Sequence, residues 1–483
     1  MAAALAVAEL LARYTGGQSS PVVTVGGVAI DLAPQPVKEF AVRTFGTADK
    51  AVLVGGIVSA LLVVAAGLGV LAVRHRALAL AGVAALGVVS SLAAVSRPAA
   101  VPSDVLPAFV AALTAAFTLT ALTCLAGART AEAPMRDRRI VLRMGLGVVA
   151  LASLGGLAAR LLPAASPGTR FMLPVPSSPA KPLPVGTDLR IPGLSPFTTP
   201  NADFYRVDTA LSVPRIDAAR WTLRVHGVRT LELTMADVLQ RGLIERDITL
   251  TCVSNEVGGP YAGHARWLGL PLAALLREAG IPVGADQLFS RSADGWTAGT
   301  PLDIVMDGRD AMLAIGMNGE PLPPEHGHPA RLVVPGLYGY VSATKWVVDL
   351  RLTRYAAERA YWTERGWATN APIKTMSRID VPAALAKLKP GRVVVAGLAW
   401  AQHRGVAAVE VRVDQGPWHP VRLADVPSAD TWVQWAWTWQ AVPGTHTLEV
   451  RATDGTGRAQ PPTRVPPFPD GATGWHSVVV TVV

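Results

Sequence analysis

Cysteine is almost absent from this chain, with two in 483 residues. Cys124 lies inside a long apolar run and Cys252 in the more polar remainder, so the two cannot build a disulfide framework. The chain also lacks a Cys-x-x-Cys-His haem-attachment motif. If the protein has a redox function, no haem is expected and electrons must pass to a separate carrier.

Charged residues are few as well, at 16% of the chain, although the formal net charge is +9. Many cations flank the apolar runs, and no basic run is interleaved with aromatic residues in the polar part. This pattern argues against a nucleic-acid partner. None of the nine histidines falls inside the apolar runs, so a bis-histidine haem within a bilayer is not supported.

Long stretches without charge occupy the first third of the chain. Three runs hold no charged side chain and a fourth has arginines near its ends, and each is long enough to cross a hydrocarbon core of about 30 Å as a helix. The four predicted spans are 51–73, 77–96, 105–128 and 140–162. Residues 1–50 are partly apolar but interrupted by glycine and proline, which fits a broken fifth span or a surface-lying segment. We favour the broken span.

The distribution of arginine between the runs predicts an orientation. The links 74–76 and 129–139 are basic, and short basic links stay in the cytoplasm. By alternation, everything after about residue 162 is extracytoplasmic, in a multi-pass protein of the plasma membrane. Arg138–Arg139 fits a twin-arginine export signal and an ordinary cytoplasmic cluster equally well.

After the apolar runs the composition changes twice. Residues 163–200 are rich in proline, which predicts an extended linker that serves as a spacer. Residues 201–385 mix helical and strand patterns, including a strand at 221–227 and a helix at 270–279. Residues 386–483 read as short strands separated by turns, which predicts a β-sandwich.

Four motifs in the polar part carry chemistry. Cys252 follows a predicted strand, 247–251, at a point where a side chain can meet a ligand, and a thiolate is a soft metal ligand. The other three motifs are Asn201–Arg206, Met317–Gly336 with its His326 and Arg331, and Ser342–Trp346.

In their order along the chain, 201–206, 252, 317–336 and 342–346, the four motifs resemble the sulfite oxidase family of molybdenum-molybdopterin enzymes, which includes periplasmic methionine sulfoxide reductase catalytic subunits. The resemblance runs from Asn201 to the C-terminus and points to a membrane-anchored, bacterial, actinobacterial-like member. It implies a multi-domain fold with an N-terminal α-helical membrane bundle, an α+β molybdopterin domain over 201–385 and an immunoglobulin-like β-sandwich over 386–483. That last module often mediates dimerisation, so a homodimer stays open.

The resemblance also implies roles for particular residues. Cys252 would be the catalytic-centre residue and the molybdenum ligand, in an enzyme that performs two-electron oxygen-atom transfer. Arg331 and Lys345 suit the pterin phosphate, Arg331 through its planar fork and Lys345 as a point charge. The residues implied in holding the cofactor are Cys252, Asn201, Phe204, Tyr205, Ser292, His326, Arg331, Ser342, Thr344 and Lys345.

The segment after Cys252 departs from the family pattern. Sulfite oxidases follow the ligand cysteine with Asn-Arg-Arg, whereas residues 254–259 read Ser-Asn-Glu-Val-Gly-Gly, so the arginine expected toward an oxyanion is missing. His264, Arg266 and Arg206 are the candidates to replace it. The substrate stays open between a sulfite-like oxyanion and an S- or N-oxide.

Two other functions remain open at this point. A zinc enzyme would use Cys252, His326 and His328, although the chain has no His-Glu-x-x-His motif. A membrane-anchored binding protein would keep the fold and have lost the cofactor. The metal content of the purified protein distinguishes all three functions.

Overall fold

The computed structural model describes residues 2–15, 19–34, 37, 40, 44–45, 49–97, 100–127 and 171–483. The chain divides into two compact units. The helical unit comprises Met1–Gly168 with Asp208–Arg215, and the C-terminal unit comprises Thr169–Val207 with Ile216–Val483. The predicted span 140–162 and Arg138–Arg139 lie outside the described residues.

The described part of the helical unit contains five α-helices and one 3₁₀ turn at Pro102–Val105. The helices are α1 Ala2–Thr15, α2 Pro21–Leu32, α3 Asp49–Arg74, α4 Arg76–Val95 and α5 Leu106–Gly127. Among the described residues, three helices are long and apolar enough to cross a membrane, and they coincide with α3, α4 and α5. They match the runs that the sequence predicts at 51–73, 77–96 and 105–128.

Helices α1 and α2 are shorter. At a rise of about 1.5 Å per residue, each spans roughly 20 Å, which is less than the thickness of a hydrocarbon core. Ser20 precedes α2, and its hydroxyl accepts a hydrogen bond from the Val23 N–H at 3.5 Å, which helps to define where that helix begins. Asp208 of the same unit forms an ion pair with Lys50 at the start of α3, with 2.6 Å between Lys50 Nζ and Asp208 Oδ1.

The first part of the C-terminal unit contains two sheets, one mixed and one antiparallel. One has the strand order β2-β1-β10-β5-β6 and the other the order β3-β4-β7-β8, with β9 paired to β7. Their strands are β1 Thr222–His226, β2 Thr230–Thr234, β3 Ile244–Thr251, β4 Ala262–Pro271, β5 Gln287–Ser292, β6 Thr297–Pro301, β7 Met312–Met317, β8 Glu320–Pro321, β9 Arg331–Val333 and β10 Val347–Thr353. Short helices connect them, namely α6 Met235–Leu239, α7 Leu272–Ala279, α8 Leu302–Met306 and α9 Gly339–Ser342.

Helix α7 begins later than the sequence pattern predicts. The apolar spacing predicts a helix from residue 270, but β4 continues to Pro271 and pairs there with β7. Pro271 supplies the cap residue before the first helical position, where its missing N–H costs nothing. The predicted end at Gly280 is confirmed, because this residue adopts a φ of 76° that favours glycine.

The last part of the unit consists of two further sheets. One has the order β11-β13-β17-β16 and the other β12-β19-β18-β14-β15. Their strands are β11 Met376–Val381, β12 Lys387–Leu388, β13 Gly391–Trp400, β14 Val406–Val413, β15 His419–Pro420, β16 Arg422–Leu423, β17 Val433–Ala441, β18 Gly444–Asp454 and β19 His476–Val482. Both sheets contribute to one apolar cluster that includes Val395, Trp435 and Val450. We call this pair the C-terminal sheets.

The C-terminal sheets begin before the boundary that the sequence predicts at 386. Strand β11 pairs with β13, so Met376–Val381 already belongs to them. The proline-rich stretch also differs from the predicted spacer. It is extended, but Phe197 is 1% exposed in the main core, and Ser177 N donates to the Leu243 carbonyl oxygen at 2.9 Å. Residues 171–200 are therefore packed within the C-terminal unit, because their few apolar side chains join a core that other segments build.

Candidate cofactor site

Cys252 lies directly after β3, where this strand leaves its sheet. Side chains alternate between the two faces of a strand. Ile248 and Leu250 accordingly join an apolar cluster with Phe204 and Trp267 on one face. The Cys252 N–H donates to the Tyr261 carbonyl oxygen at 2.9 Å, which closes the loop between β3 and β4.

The Cys252 thiol is 9% exposed. Burial raises its pKa above the usual value, while hydrogen bonds from Ser254 and the positive charge of Lys345 act in the opposite direction. A bound metal cation would favour the thiolate much more strongly than these groups do. The surroundings of Cys252 therefore suit a thiolate that forms when a metal binds.

The segment Asn201–Arg206 covers the apolar face beside Cys252. Phe204 contacts the Trp267 ring edge-on at a centroid distance of 5.8 Å and the His326 ring at 5.5 Å. The side-chain amide of Asn201 donates to the Met317 carbonyl oxygen at 3.2 Å. These contacts hold the segment in place against β4, β7 and the turn that carries His326.

Tyr205 links the two ends of the site. Burial raises the pKa of its hydroxyl, a negative charge on Cys252 raises it further, and the positive charge of Arg331 lowers it. The Tyr205 ring lies 6.5 Å from the ring of Tyr261, whose carbonyl oxygen accepts the Cys252 N–H, so Tyr205 lies beside the loop that carries Cys252. Tyr205 stays a neutral hydrogen-bond donor there.

Arg331 is buried without a compensating carboxylate. It is 4% exposed, and its guanidinium carbon lies 5.1 Å from the centroid of the Trp267 ring. Its acceptors are the carbonyl oxygens of His326 at 3.2 Å, Ala343 at 3.3 Å and Leu332 at 3.4 Å, and among the described residues no Asp or Glu forms an ion pair with it. Burial lowers its pKa to about 10, so it is still a cation at neutral pH. An anionic ligand would compensate this charge.

His326 has one nitrogen engaged and one without a partner. Its Nε2 lies 2.9 Å from the Asn201 carbonyl oxygen, which can only accept a hydrogen bond, so Nε2 carries the hydrogen in the neutral ring. Its Nδ1 is buried and has no hydrogen-bond partner among the described residues. Burial lowers the pKa of His326 to about 4, so Nδ1 is an unprotonated acceptor at neutral pH. It can accept a hydrogen bond from a ligand.

The other residues predicted to hold the cofactor lie in or beside the segment that connects β9 to β10. Lys345 is 9% exposed, and its Nζ lies 5.4 Å from the centroid of the Trp346 ring. The hydroxyls of Thr344 and Ser290 are 2.7 Å apart, and both side chains are fully buried. The structure therefore joins Thr344 to β5 rather than leaving its hydroxyl exposed.

Ser342 and Ser292 support the same turn. The Ser342 hydroxyl lies 3.1 Å from the Leu337 carbonyl oxygen and 3.0 Å from that of Tyr338, so it bonds within its own turn. Ser292 ends β5 and pairs in register with Val347. Both residues are buried.

His264 and Arg266 lie on the other face of the sheet. In the β3–β4 ladder, His264 is opposite Thr249, and its Nδ1 lies 3.2 Å from the Thr249 hydroxyl. Arg266 forms a two-pronged ion pair with Asp247, at 3.0 and 2.8 Å. The hypothesis that either of these residues replaces the missing arginine beside Cys252 is wrong, because strand alternation turns both away from the face that carries Trp267.

Arg206 is the third candidate, and it belongs to the segment Asn201–Arg206. It follows Tyr205 directly and is partly buried.

The described residues contain no group of three or more His, Cys, Asp or Glu side chains that could hold a metal ion, which does not support a zinc site at Cys252, His326 and His328. His328 instead stacks on Phe171 at a centroid distance of 5.8 Å.

The donor set fits molybdopterin. A buried cation without a counter-ion suits a phosphate, an unpaired ring nitrogen suits a heterocyclic N–H, and a buried thiol suits a soft metal. Cys252, Arg331 and His326 supply these three features. The observed chemistry of the site therefore matches the group that the sequence motifs imply.

Sequence reasoning did not identify several residues that shape this site. Trp267 forms the wall under Arg331, Asn318 donates to the Asn201 side-chain oxygen at 2.8 Å, and Ser290 bonds Thr344. Asn318 adopts a φ of 53°, and its place within the motif Met317–Gly336 was the one available signal. Trp267 and Ser290 read as ordinary strand residues.

Comparison with known proteins defines the class. Residues 210–362 match the family described as the oxidoreductase molybdopterin binding domain. The chain is 31% identical over 157 residues to an uncharacterized oxidoreductase, YuiH, of Bacillus subtilis, covering 31% of this chain and 74% of that protein. It is also 30% identical over 342 residues to human mitochondrial sulfite oxidase, covering 59% of this chain and 62% of the human protein.

The chain belongs to the sulfite oxidase family of molybdopterin oxidoreductases. It spans 62% of the length of the human and mouse sulfite oxidases and 72% of the chicken protein. A solved structure, the sulfane dehydrogenase SoxCD from Paracoccus pantotrophus, shares the fold at a TM-score of 0.51 and 24% identity, covering 59% of this chain and 84% of that one. The fold class and family implied by the four motifs are thereby confirmed for the molybdopterin part.

Proposed function

We propose that this protein is a membrane-anchored molybdenum-molybdopterin oxidoreductase that transfers an oxygen atom, with two electrons, to or from a small substrate. One observation carries the proposal. A buried thiol, Cys252, follows the strand whose apolar face packs with Trp267, and a buried guanidinium without a counter-ion, Arg331, lies 5.1 Å from the centroid of the same Trp267 ring. A metal-binding group and an anion-binding group thus share one site.

Different residues would hold different parts of the cofactor. When bound, the molybdenum supplies two-electron redox chemistry that no side chain of the protein provides. Cys252 would ligate it, and Lys345 favours the thiolate form of that residue. Arg331 and Lys345 would bind the pterin phosphate, and Nδ1 of His326 would accept a hydrogen bond from the pterin. Ser292, Ser342 and Thr344 support the binding turn.

The substrate is a sulfite-like oxyanion or an S- or N-oxide, and Arg206 is the residue we propose to bind it. It follows Tyr205, whose ring lies 6.5 Å from that of Tyr261, and the Tyr261 carbonyl oxygen accepts the Cys252 N–H. A guanidinium there would favour an anion, since charge-assisted hydrogen bonds are stronger than neutral ones. A neutral oxide would depend on Arg206 much less.

The membrane arrangement is part of the proposal. Helices α3, α4 and α5 with the predicted span 140–162 would form the anchor, and α1 and α2 a broken fifth span. The basic links would place the C-terminal unit outside the cytoplasm. An external carrier would exchange electrons with the molybdenum, no haem is expected, and the C-terminal sheets would form an immunoglobulin-like module able to pair two chains.

Metal analysis with activity assays tests the proposal. The full-length protein is purified from a host that makes molybdopterin, and we expect about one molybdenum per chain. Cys252→Ser should lose most of the metal and the activity. Zinc instead of molybdenum would support the zinc enzyme, and no metal would support the binding protein. Assays in both directions with artificial electron carriers distinguish sulfite oxidation from oxide reduction.

A further inference from the structure

The strand that leads to Cys252 lies at the edge of its sheet, and the C-terminal sheets contact that edge. Strand β3 is the first strand of its sheet, and an edge strand carries backbone groups without ladder partners. The Thr249 N–H donates to the Asp430 carbonyl oxygen at 2.9 Å. The Thr249 carbonyl oxygen accepts a 3.1 Å hydrogen bond from Nε2 of Gln402. Both partners belong to turns of the C-terminal sheets.

Gln402 also reaches the residue before Cys252. The same Nε2 donates to the Thr251 hydroxyl at 3.0 Å. Gln402 is fully buried, and its Oε1 has no partner among the described residues. A buried acceptor without a partner is unfavourable for stability. The amide is therefore better explained by the two hydrogen bonds that it donates than by a contribution to the core.

Two further side chains of the C-terminal sheets hold the segment after Cys252. Nη1 of Arg378, on β11, donates to the Gly259 carbonyl oxygen at 2.9 Å, and Arg378 is 8% exposed. The ring of His476, on β19, packs so closely on Gly258 that a Cβ there would lie 2.3 Å from it. Gly258 has a φ of 80°, so both the backbone and the contact favour glycine.

We propose that Gln402, Arg378 and His476 are positioning residues that fix Cys252 by holding residues 251–259 at both ends. Their contacts fall on Thr251, Gly258 and Gly259, and none of them falls on Cys252 itself. The direction of a ligand side chain depends on its neighbours, and small displacements of such groups have large effects. The C-terminal sheets would thereby contribute to the metal site as well as to packing. This inference rests on the proposed role of Cys252 as the metal ligand.

The test uses Gln402→Leu and Thr251→Val, which remove the donor or the acceptor with little change in shape. Gln434→Leu is the matched control, because Gln434 is fully buried in the same sheets and its Nε2 donates to the Ser195 carbonyl oxygen at 2.8 Å and not to residues 251–259. In cofactor-free full-length protein, the alkylation rate of Cys252 is measured by peptide mass spectrometry. Cys124, the second cysteine, serves as the internal reference.

We expect Cys252 alkylation to rise roughly tenfold in Gln402→Leu and in Thr251→Val, the factor for about 1.4 kcal/mol of local opening. The double variant should be little faster than either single one, because both remove the same hydrogen bond. In the loaded enzyme, the Mo(V) electron paramagnetic resonance signal should broaden or split in Gln402→Leu at unchanged metal content.

Three results would overturn the inference. The first is that Gln402→Leu changes neither the alkylation rate of Cys252 nor the Mo(V) resonance signal. The second is that Gln434→Leu raises the alkylation rate as much as Gln402→Leu does. The third is that the alkylation rates of the variants simply follow their loss of thermal stability. If the wild-type protein holds no molybdenum, the proposed function fails. The alkylation series would still report whether the C-terminal sheets hold the Cys252 segment.

Discussion

Replacing Arg331 by methionine should change the stability of the cofactor-free protein and the retention of the cofactor in opposite directions. Burial moves the pKa of Arg331 from 12.5 to about 10, and each pKa unit corresponds to about 1.4 kcal/mol. The cost of burying this charge in the cofactor-free protein is therefore about 3 kcal/mol. Methionine fills much of the same volume without a charge, and the three lost hydrogen bonds are long, at 3.2 to 3.4 Å.

We accordingly expect Arg331→Met to stabilise the cofactor-free protein by about 1–2 kcal/mol, or a few degrees in melting temperature. The same variant should retain at least about tenfold less molybdopterin, because a charge-assisted bond to phosphate is lost. Thermal unfolding of cofactor-free protein and pterin analysis of loaded protein measure the two effects.

Arg241→Met is the control for Arg331→Met. Arg241 is paired with Glu278 at 2.5 Å near the surface, and its loss should change stability little and cofactor content not at all. Destabilisation of cofactor-free Arg331→Met with full cofactor retention would refute the reasoning, since Arg331 would then be a structural residue.

Three further predictions concern neighbouring residues. Cys252→Ser should keep the melting temperature of the cofactor-free protein within a few degrees while losing the metal, which circular dichroism and metal analysis would show. Arg206→Met should raise KM for an anionic substrate about tenfold or more and affect a neutral oxide little, whereas Arg220→Met, at a 90% exposed side chain, should affect neither. Because the pKa of His326 falls from 6.5 to about 4 on folding, the folded state binds fewer protons between these values, so stability should fall as pH drops through this window. In cofactor-free His326→Gln, the fall in the free energy of unfolding over this pH window should be smaller by up to about 3 kcal/mol, as denaturant titrations at several pH values would show. The same pH dependence in the variant and the wild type would contradict the argument from the burial of His326.

Local patterns in the sequence predict the elements that depend on neighbouring residues. The uncharged runs predict α3, α4 and α5, because chain length and hydrophobicity decide whether a helix can cross a bilayer. The β-branched pattern before Cys252 predicts the end of β3. In both cases the relevant interactions lie within one segment, so no tertiary information is required.

The sequence could not predict features that depend on strand pairing. The membership of β11 in the C-terminal sheets depends on its pairing with β13, which no local pattern shows. The stacking of Arg331 on Trp267 depends on β9 and β4 both pairing with β7. The motif that contains Arg331 was recognisable from the chain, but its aromatic wall was not.

The pairing of β3 with β4 gives the clearest case and a last prediction. His264 and Arg266 are close to Cys252 along the chain, yet the register that sets His264 opposite Thr249 directs both away from the face that carries Trp267. Asp247 is 8% exposed and has a lowered pKa, with burial opposing the change and the bonds from His264 and Arg266 causing it. Arg266→Met would leave this carboxylate without its two-pronged partner.

We therefore expect Arg266→Met to destabilise the protein by about 2 kcal/mol, less than a fully buried pair would lose, because the Arg266 side chain is 29% exposed. The protein that remains folded should keep the wild-type KM for an anionic substrate. Thermal unfolding and steady-state kinetics on the same preparation measure both quantities. A KM raised fivefold or more without loss of stability would mean that Arg266 reaches the substrate, and the assignment of the two sheet faces would be wrong.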